Sequence, residues 1–308
     1  MNADLAITCP VCGGTVLECL GAAAYRQPHK VAGVAIDLSE IKPVLVRCKN
    51  CTYWFYTPRI PMDRLLECYS KSSADFWTTD TSIAAKRNYA RKAELLRQYA
   101  PGNRILDYGC FDGGFLDFLG SSWFRFGIEP SAKAAAVAQQ RGIQIIASST
   151  ENIPTGKLES FDAIVLFDVI EHVNEPVCLL TTLASLLQRG GILLIETGDT
   201  DSQPFQRNGR LYSYCTPIEH VGFMNRRSLG AAAEKSGFRL IAFERSRHMQ
   251  RSAWGYLEGD LTNFIFKLLY HTKRAGLLLP GKLNRIANAG LPRPSRKPDH
   301  LLAVLERV

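Results

Sequence analysis

A glycine turn followed at a fixed distance by an acidic residue is the first feature of this chain that could support chemistry. Residues 104–116 read as a short apolar strand, a turn containing Gly109 and Gly113, and the start of a helix. Glycine lets the backbone approach a ligand closely, and a helix N-terminus favours polar or anionic ligand groups. Glu129 ends a second predicted strand 22 residues after Asp107, a spacing at which a carboxylate accepts hydrogen bonds from a ribose diol. The pattern therefore predicts a site for a nucleotide-like ligand.

Four cysteines form a second candidate site. They are Cys9, Cys12, Cys48 and Cys51. Each pair has C-x2-C spacing, and four thiolates complete a closed tetrahedral shell that suits structural zinc. The 35 residues between the pairs exceed the usual gap of about 15 to 20, so a hairpin or loop must fill it, with strands expected near residues 31–36 and 43–47. The spacing predicts a zinc ribbon; reduced cysteines in a loop-rich domain and a redox dithiol are the alternatives.

The glycine turn and two later segments resemble the class I S-adenosylmethionine-dependent methyltransferases. Residues 161–173, FDAIVLFDVIEHV, look like the fourth strand of that family and its following turn, and residues 190–196, GGILLIE, look like the fifth strand. Nicotinamide binding, the rival use of a glycine turn and an acidic residue, predicts a Gly-x-Gly-x-x-Gly turn that this sequence does not contain. The resemblance therefore implies a methyltransferase that uses S-adenosylmethionine.

The resemblance assigns seven residues to the cofactor. They are Asp107, Gly109, Gly113, Glu129, Ser149, Thr150 and Phe167. It implies that Asp107 lies near the methionine amino group, that the glycines make room for methionine and ribose, and that Glu129 accepts the ribose hydroxyls. Ser149 and Thr150 match the loop that meets the adenine, although relatives usually have an aspartate where Ser149 stands. Phe167 ends the fourth strand, where it either contacts the cofactor or packs as a core aromatic residue.

Two histidines are candidates for the acceptor side of the site. His220 lies in a polar and aromatic loop after the fifth strand, and Glu219 beside it could orient its imidazole. Histidine titrates near neutral pH, so His220 is the predicted general base for deprotonating an acceptor hydroxyl. The alternative is a histidine that only helps to begin the helix after Asn225. His172, which follows Glu171, is expected to orient its loop, although some quinone-pathway relatives use this region for a metal.

The alternation of strands and helices predicts an α/β fold with a doubly wound, seven-stranded, Rossmann-like sheet. We expect a zinc-ribbon-like domain at residues 1–57, a connector at 58–81, and a class I methyltransferase domain at 82–308. Strands are predicted near residues 104–108, 124–129, 143–147, 161–167, 190–196, 238–243 and 301–305. The resemblance implies that the seventh strand runs antiparallel. A basic helical insertion is expected at residues 248–298.

The cysteine module and the Glu-His pair together resemble bacterial methyltransferases of sugar and surface-glycan biosynthesis. This similarity implies O-methylation of a sugar or glycan precursor. The related sugar C-methyltransferases carry a Tyr-x-Glu-His cluster and a large further carboxyl-terminal domain, whereas here Pro217 replaces the tyrosine. Sugar C-methylation remains an alternative, as does a zinc-containing RNA methyltransferase that grips phosphates. A nucleic-acid partner is disfavoured because the positive charge lies at the far end of the chain from the cysteines.

Composition and charge favour a cytoplasmic enzyme. The sequence has 308 residues, begins without a basic and apolar leader, and contains no apolar stretch of membrane-spanning length. From residue 239 onward there are 13 Lys or Arg and 5 Asp or Glu residues, a balance of +8 that equals the net charge of the whole chain. The basic insertion could be a lid packed on the core, a surface that attracts an anionic substrate, or a peripheral contact with an anionic membrane.

Overall fold

The computed structural model describes residues 7–25, 28–71, 83–153, 160–247, 253–288 and 297–308. The strands of this part of the chain are β1 (Leu17–Ala22), β2 (Lys30–Val31), β3 (Val34–Ala35), β4 (Val44–Cys48), β5 (Trp54–Thr57), β6 (Arg104–Tyr108), β7 (Phe124–Ile128), β8 (Gln144–Ala147), β9 (Phe161–Phe167), β10 (Leu187–Gly198), β11 (Gly222–Phe223), β12 (Phe238–Ser246) and β13 (His300–Arg307). The helices are α1 (Met62–Lys71), α2 (Ile83–Tyr99), α3 (Gly114–Leu119), α4 (Ala132–Gln140), α5 (Pro176–Leu186), α6 (Gln203–Asn208), α7 (Arg226–Lys235), α8 (Ala253–Arg274) and α9 (Gly281–Asn288). Among these helices, none is both long enough and apolar enough to cross a bilayer.

The largest sheet has seven strands in the order β12-β13-β10-β9-β6-β7-β8. β6 to β10 run parallel, and β13 runs antiparallel to both β10 and β12. This topology confirms the predicted doubly wound fold, including the antiparallel last strand. Because β6 lies between β9 and β7, the carboxyl ends of the strands that carry the candidate residues share one edge of the sheet.

Both faces of this sheet are buried, as expected for parallel strands. Successive side chains of a strand point to opposite faces. Ile105 therefore packs in one apolar cluster with residues of α2 and α3, whereas Leu106 packs in another with residues of α5 and α7. Two covered faces leave the edge where the strands end as the accessible place for a ligand.

A second sheet, in the order β1-β4-β5-β11, joins the cysteine segment to the rest of the molecule. β5 pairs antiparallel with the short β11, which belongs to the loop that carries His220. The N–H of Tyr56 donates to the Val221 carbonyl over 3.0 Å, and the Tyr56 hydroxyl donates to the Cys215 carbonyl over 2.7 Å. The first 57 residues thus share a sheet with the candidate acceptor loop, although the domain boundaries at 57/58 and 81/82 stay predictions.

The predicted insertion between the last two strands is helical where it is described. It contains α8 and α9, and residues 248–252 and 289–296 of it lie outside the described residues. Phe266 and Leu269 of α8 are buried, and the Tyr270 hydroxyl accepts a hydrogen bond from Arg210 Nη2 over 2.7 Å. The helix is therefore attached to the segment that follows β10.

The contact between β5 and β11 predicts a destabilising substitution. Gly222→Ala would place its methyl group on the hydroxyl of Tyr53, which is buried and has no room to move aside. We expect the free energy of unfolding to fall by about 1 to 3 kcal/mol, as for other overpacked sites, in urea denaturation. Gly230→Ala on α7 is the matched control, because its methyl group would enter open space and alanine favours helix. Equal stability of the two variants would contradict the close approach at Gly222.

Candidate active site

The glycine turn closes the carboxyl end of β6 against β7. The N–H groups of Gly109 and Cys110 both donate to the Ile128 carbonyl, over 2.8 and 3.1 Å. Gly109 has a φ of 80°, and a side chain there would come within 2.7 Å of Val169. Gly113, with a φ of 77°, begins α3 at a point where a side chain would clash with Ile143. Both predicted glycines are therefore required by the backbone.

Glu129 is buried at the end of β7 and holds the turn in place. Its carboxylate accepts hydrogen bonds from the N–H groups of Phe111 and Ser131, both over 2.8 Å. Burial raises the pKa of this carboxyl group, and the two N–H groups partly offset the effect. Each carboxylate oxygen has a second lone pair, so Glu129 keeps the capacity to accept hydroxyl groups. The predicted ribose ligand fits this position.

Asp107 is a second buried carboxyl group, one strand away from Glu129. Burial raises the pKa of Asp107 to about 7; the positive charge of Lys92 opposes the rise and the negative charge of Glu129 adds to it. A buried acidic group of this kind is stabilised by a neighbouring cation. The ammonium and sulfonium groups of S-adenosylmethionine have the charge that these two carboxyl groups favour, so the residues fit the cofactor that the sequence predicts.

Phe167 and Lys92 pack together near Asp107. The Lys92 ammonium lies 4.0 Å from the centre of the Phe167 ring and 2.5 Å from the Glu196 carboxylate, and Phe115 meets the same ring edge-on at 4.9 Å. Phe167 is half-buried and thus has the core contacts of the alternative role. Its contact with the cofactor stays a prediction.

The proposed adenine loop follows β8 and forms one 3-10 turn, Thr150–Asn152. The Ser149 hydroxyl is half-buried and accepts a hydrogen bond from the Asn152 amide over 3.2 Å. The side chain of Thr150 lies outside the described residues. The loop is near the Glu129 position because the Glu129 N–H donates to the Ala147 carbonyl over 3.2 Å. The roles of both residues in adenine binding stay predictions.

His220 lies among aromatic and ionisable groups at the ends of β9 and β10. Its Nδ1 is 2.7 Å from the Tyr214 carbonyl, so this nitrogen carries the proton and donates it. The ring meets that of His172 at a centroid distance of 4.7 Å and is half-buried. Burial, followed by the neighbouring His172, holds the pKa of His220 well below its usual range. The imidazole is therefore neutral, with the Nε2 lone pair left to accept a proton.

Glu171 is the centre of a hydrogen-bond network that sequence reasoning did not identify. Its carboxylate accepts hydrogen bonds from the hydroxyl of Tyr214 and from that of Thr197, the latter over 2.8 Å. Burial raises the pKa of Glu171 to about 7, and the charge of nearby Asp168 adds to the rise. Tyr214 thus connects the carboxylate to the same loop that orients His220.

His300, the first residue of β13, joins this network from the other side. Its Nε2 is 3.4 Å from Asp168 and its Nδ1 is 3.1 Å from Asp299. Burial lowers the pKa of His300, but the two carboxylates outweigh that effect and raise it to about 10. His300 is therefore charged, and its ring contacts that of Tyr214 edge-on with 4.7 Å between the ring centroids. No sequence pattern could have predicted this contact, since more than a hundred residues separate Asp168 from His300.

His172 and Glu219 are close to the candidate base. The Tyr69 hydroxyl lies 3.3 Å from His172 Nδ1, and the Glu219 main-chain carbonyl also contacts that ring. Glu171, His172 and His220 each offer an atom within 4.8 Å of the others, as metal ligands could. The hydrogen bonds just described use one nitrogen of each histidine and leave a second lone pair on each Glu171 oxygen. In this structure the three side chains therefore belong to a hydrogen-bond network that keeps free donor atoms for a ligand, and the orienting role of the Glu219 side chain stays a prediction.

The four cysteines of the C-x2-C pairs converge as predicted. Their sulfur atoms all lie within 4.8 Å of one another, with Cys9 and Cys51 at 3.5 Å and Cys12 and Cys48 at 3.4 Å. Zinc–sulfur bonds of about 2.3 Å in a tetrahedron place the sulfur atoms roughly 3.8 Å apart. The observed spacing fits that shell.

The two cysteine turns also match each other in backbone geometry. Gly13 N–H donates to the Cys9 carbonyl over 2.8 Å, and Thr52 N–H donates to the Cys48 carbonyl over 2.9 Å. Both donors have a positive φ, 77° at Gly13 and 64° at Thr52. In addition, the Gly14 N–H points at Cys12 Sγ over 3.4 Å. Two equivalent turns that present thiols to one point are what a closed four-thiolate site requires.

Comparison with known families agrees with the fold and with the glycine turn. A family model described as a methyltransferase domain matches residues 82–242, which is just over half of the 308-residue chain. The match begins at the segment before β6 and ends in β12. It therefore includes the glycine turn, Glu129 and the loop that carries His220.

Individual proteins that resemble the chain match it only in part and at low sequence identity. The chain is 29% identical over 140 residues to protein MJ1123 of Methanocaldococcus jannaschii, and this alignment covers 46% of the chain and 62% of that protein. It is 34% identical over 107 residues to a ubiquinone biosynthesis O-methyltransferase of Xanthomonas axonopodis pv. citri, and that alignment covers 31% of the chain and 43% of the enzyme. The chain thus spans less than two thirds of either relative. N-methyltransferase NodS from Bradyrhizobium japonicum, solved with S-adenosyl-L-homocysteine, aligns with a TM-score of 0.49 at 15% identity and covers 80% of this chain and 98% of that one.

The geometry of Glu129 predicts a loss of cofactor affinity when the carboxylate is removed. Hydrogen bonds to a charged group contribute about 1.5 to 3 kcal/mol, so Glu129→Ala should weaken S-adenosylmethionine binding by roughly tenfold or more in calorimetric titration. Glu129→Gln keeps the side-chain volume and one acceptor oxygen, and we expect it to lose less. Thermal unfolding of both variants checks that the turn at Phe111 remains folded. Unchanged affinity in Glu129→Ala would show that this carboxylate does not bind the cofactor.

Proposed function

We propose that this chain, which belongs to the methyltransferase-domain family and is a class I S-adenosylmethionine-dependent methyltransferase, methylates a hydroxyl group of a small acceptor, with His220 as the general base. The observation that carries the proposal is the hydrogen bond of His220 Nδ1 to the Tyr214 carbonyl. It fixes the tautomer in which Nε2 is unprotonated, which is the form that can take a proton.

The cofactor supplies an electrophilic methyl group on a positively charged sulfur. The chain contributes positioning and proton removal, because the displacement requires the acceptor oxygen to be aligned with the methyl group. The glycine turn and Glu129 would hold the adenosyl part, and Asp107 would attract the methionine ammonium group. His220 Nε2 would then take the hydroxyl proton as the oxygen–carbon bond forms and the carbon–sulfur bond of the sulfonium breaks, so that the products are a neutral methyl ether, S-adenosylhomocysteine and a protonated His220.

Burial is the main reason why the low pKa of His220 keeps the imidazole neutral at neutral pH. The base therefore does not need to lose a proton before it acts, but a low pKa also makes it a weaker proton acceptor, so negative charge near the ring matters. When the imidazole becomes protonated, the negative charge of nearby Asp168 favours the charged form, since it raises the pKa of His220. Such charge stabilises an imidazolium that forms during a reaction.

The acceptor that we propose is a sugar or glycan precursor, on the basis of the sequence resemblance. Tyr214 and His172 contact the proposed base, and the Tyr69 hydroxyl contacts His172, so groups that can hydrogen-bond to hydroxyls lie around it. The ubiquinone enzymes that match part of the chain are O-methyltransferases by name, which agrees with transfer to oxygen. C-methylation would not require a base that removes a hydroxyl proton. The atom that carries the new methyl group in the product, carbon or oxygen, distinguishes the two reactions.

We also propose that Cys9, Cys12, Cys48 and Cys51 hold one structural zinc ion. The spacing of their sulfur atoms and the two equivalent turns support it, and four thiolates leave no open position for catalysis. The ion would brace β4 and β5, and through the pairing of β5 with β11 it would steady the loop that carries His220. Thiols stay reduced in the cytoplasm, where we place the protein.

Removing the base should reduce turnover without removing the cofactor. We expect His220→Ala to lower the single-turnover rate by about 10²- to 10⁴-fold, the usual contribution of a general base, with nearly unchanged S-adenosylmethionine affinity. The measurement requires an acceptor, which a methyl-transfer screen over sugars, nucleotide sugars and glycans would identify. His271→Ala, which removes an exposed histidine on α8, is the control. A fall of less than about threefold in the His220 variant would assign that residue a structural role.

Zinc binding is tested by elemental analysis of freshly purified protein. We expect one zinc ion per chain, and none after Cys9 and Cys48 are both changed to Ser, because metal affinity is part of the folding free energy of such a site. Chelation should lower the unfolding temperature before it affects methyl transfer directly. Cys19 and Cys178 are exposed cysteines, and the corresponding double Ser variant should keep the metal. Zinc retained without Cys9 and Cys48 would refute the assignment.

A further inference from the structure

The helix α8 exposes a continuous row of large apolar side chains, here called the apolar stripe. Its members are Trp254, Leu257, Leu261, Phe264, Ile265 and Leu268. They recur every three or four residues, so they lie along one side of the helix. Trp254 is 80% exposed, Phe264 65% and Leu261 60%. Single exposed apolar residues are ordinary on protein surfaces, but a contiguous exposed row indicates a surface with a partner.

The apolar stripe does not pack against the rest of the protein, because the opposite side of α8 makes that contact. Phe266 is 1% exposed and Leu269 is 9% exposed. Tyr270 accepts the hydrogen bond of Arg210, whose other Nη atom donates to the Ala22 carbonyl over 3.0 Å. The helix is therefore fixed to the protein by one side and presents the apolar stripe on the opposite side.

The segment that carries this apolar surface is rich in positive charge. Residues 248–298 contain nine Lys or Arg and two Asp or Glu residues. Lys273 at the end of α8 and Lys282 in α9 are exposed, and between these helices Leu277 and Leu278 are 61% and 99% exposed. Apolar side chains beside lysines, with a tryptophan near one end, are typical of helices that lie in the plane of a membrane interface.

We propose that the apolar stripe binds the surface of an anionic phospholipid bilayer, with α8 lying parallel to it. The apolar side chains would enter the boundary between headgroups and acyl chains, and the basic residues would contact the anionic headgroups. A second copy of this chain is the less suitable occupant, because two such basic surfaces would repel each other when their apolar stripes met. Since Arg210 links α8 to the segment after β10, docking would bring the candidate acceptor loop close to the membrane.

The experiment measures binding of the full chain to vesicles by flotation, without cofactor or acceptor, so its result does not depend on the proposed methyl transfer. We expect binding to vesicles of phosphatidylcholine with roughly a quarter phosphatidylglycerol, weakened by added salt, and weaker binding to phosphatidylcholine alone. The double variant Phe264→Ser with Leu268→Ser should bind the anionic vesicles at least about tenfold more weakly, because two large apolar side chains no longer enter the interface.

A matched control removes one large and one smaller exposed apolar side chain elsewhere. Phe124 on β7 and Val137 on α4 are 64% and 38% exposed, and Phe124→Ser with Val137→Ser should bind vesicles as the wild type does. Thermal unfolding and S-adenosylmethionine titration establish that both double variants are folded. The proposal is overturned if the wild type does not float with anionic vesicles, if neutral vesicles bind it equally well, or if the α8 variant binds unchanged. A dimer in sedimentation velocity that the α8 variant dissociates, with unchanged vesicle binding, would assign the stripe to a second copy instead.

Discussion

The cost of burying ionisable groups at the carboxyl edge of the large sheet constrains most of the site. A charge removed from water is tolerated only when it is paired or hydrogen-bonded. Lys92 of α2 is buried against Glu196 of β10, and the Ser246 hydroxyl of β12 donates to the same carboxylate over 2.9 Å. These contacts connect an early helix, a central strand and a late strand through one side chain. The helix α2 is therefore held in a fixed position beside Asp107, one of the residues proposed to bind the cofactor.

The same constraint organises the acceptor side. Glu171 is satisfied by Tyr214, and Asp168 by His300, so the loop after β10 and the start of β13 must both close over the end of β9. His220 takes its tautomer from the main chain of Tyr214. Neighbouring ionisable groups can thus hold different protonation states at one pH. Here burial keeps His220 neutral, whereas the carboxylates of Asp168 and Asp299 keep His300 charged.

The cysteine segment belongs to this arrangement through a backbone ladder. β4 ends at Cys48, where the second cysteine turn starts, and β5 follows that turn. β5 pairs with β11, which begins two residues after His220. The N–H of Val221 also donates to the Glu171 carbonyl over 2.7 Å. A displacement of the cysteine turns would therefore be transmitted to the proposed base through hydrogen bonds. On the outer side, Arg210 connects β1 to α8, so the proposed membrane surface is attached to the same framework.

Local sequence patterns were sufficient for the fold. β6 and β9 begin and end at the predicted residues, and β13 runs antiparallel as the family resemblance implied. These features depend on periodicity, glycine turns and a familiar order of motifs, all of which are visible over short stretches. The convergence of the four cysteines was also predicted, because C-x2-C spacing brings each pair together locally and two such pairs are typical of a four-thiolate site.

The sequence by itself therefore determined the sheet, the glycine turn, the position of Glu129 and the convergence of the two C-x2-C pairs. Only the tertiary structure decided which groups surround His220. Tyr214, Asp168 and His300 come from three separate elements, and no periodicity or spacing relates them. It also decided that the cysteine segment shares a sheet with the acceptor loop and that one side of α8 is exposed. The physical reason is that burial and long-range hydrogen bonds depend on how distant segments pack, whereas helix, strand and turn preferences are properties of neighbouring residues.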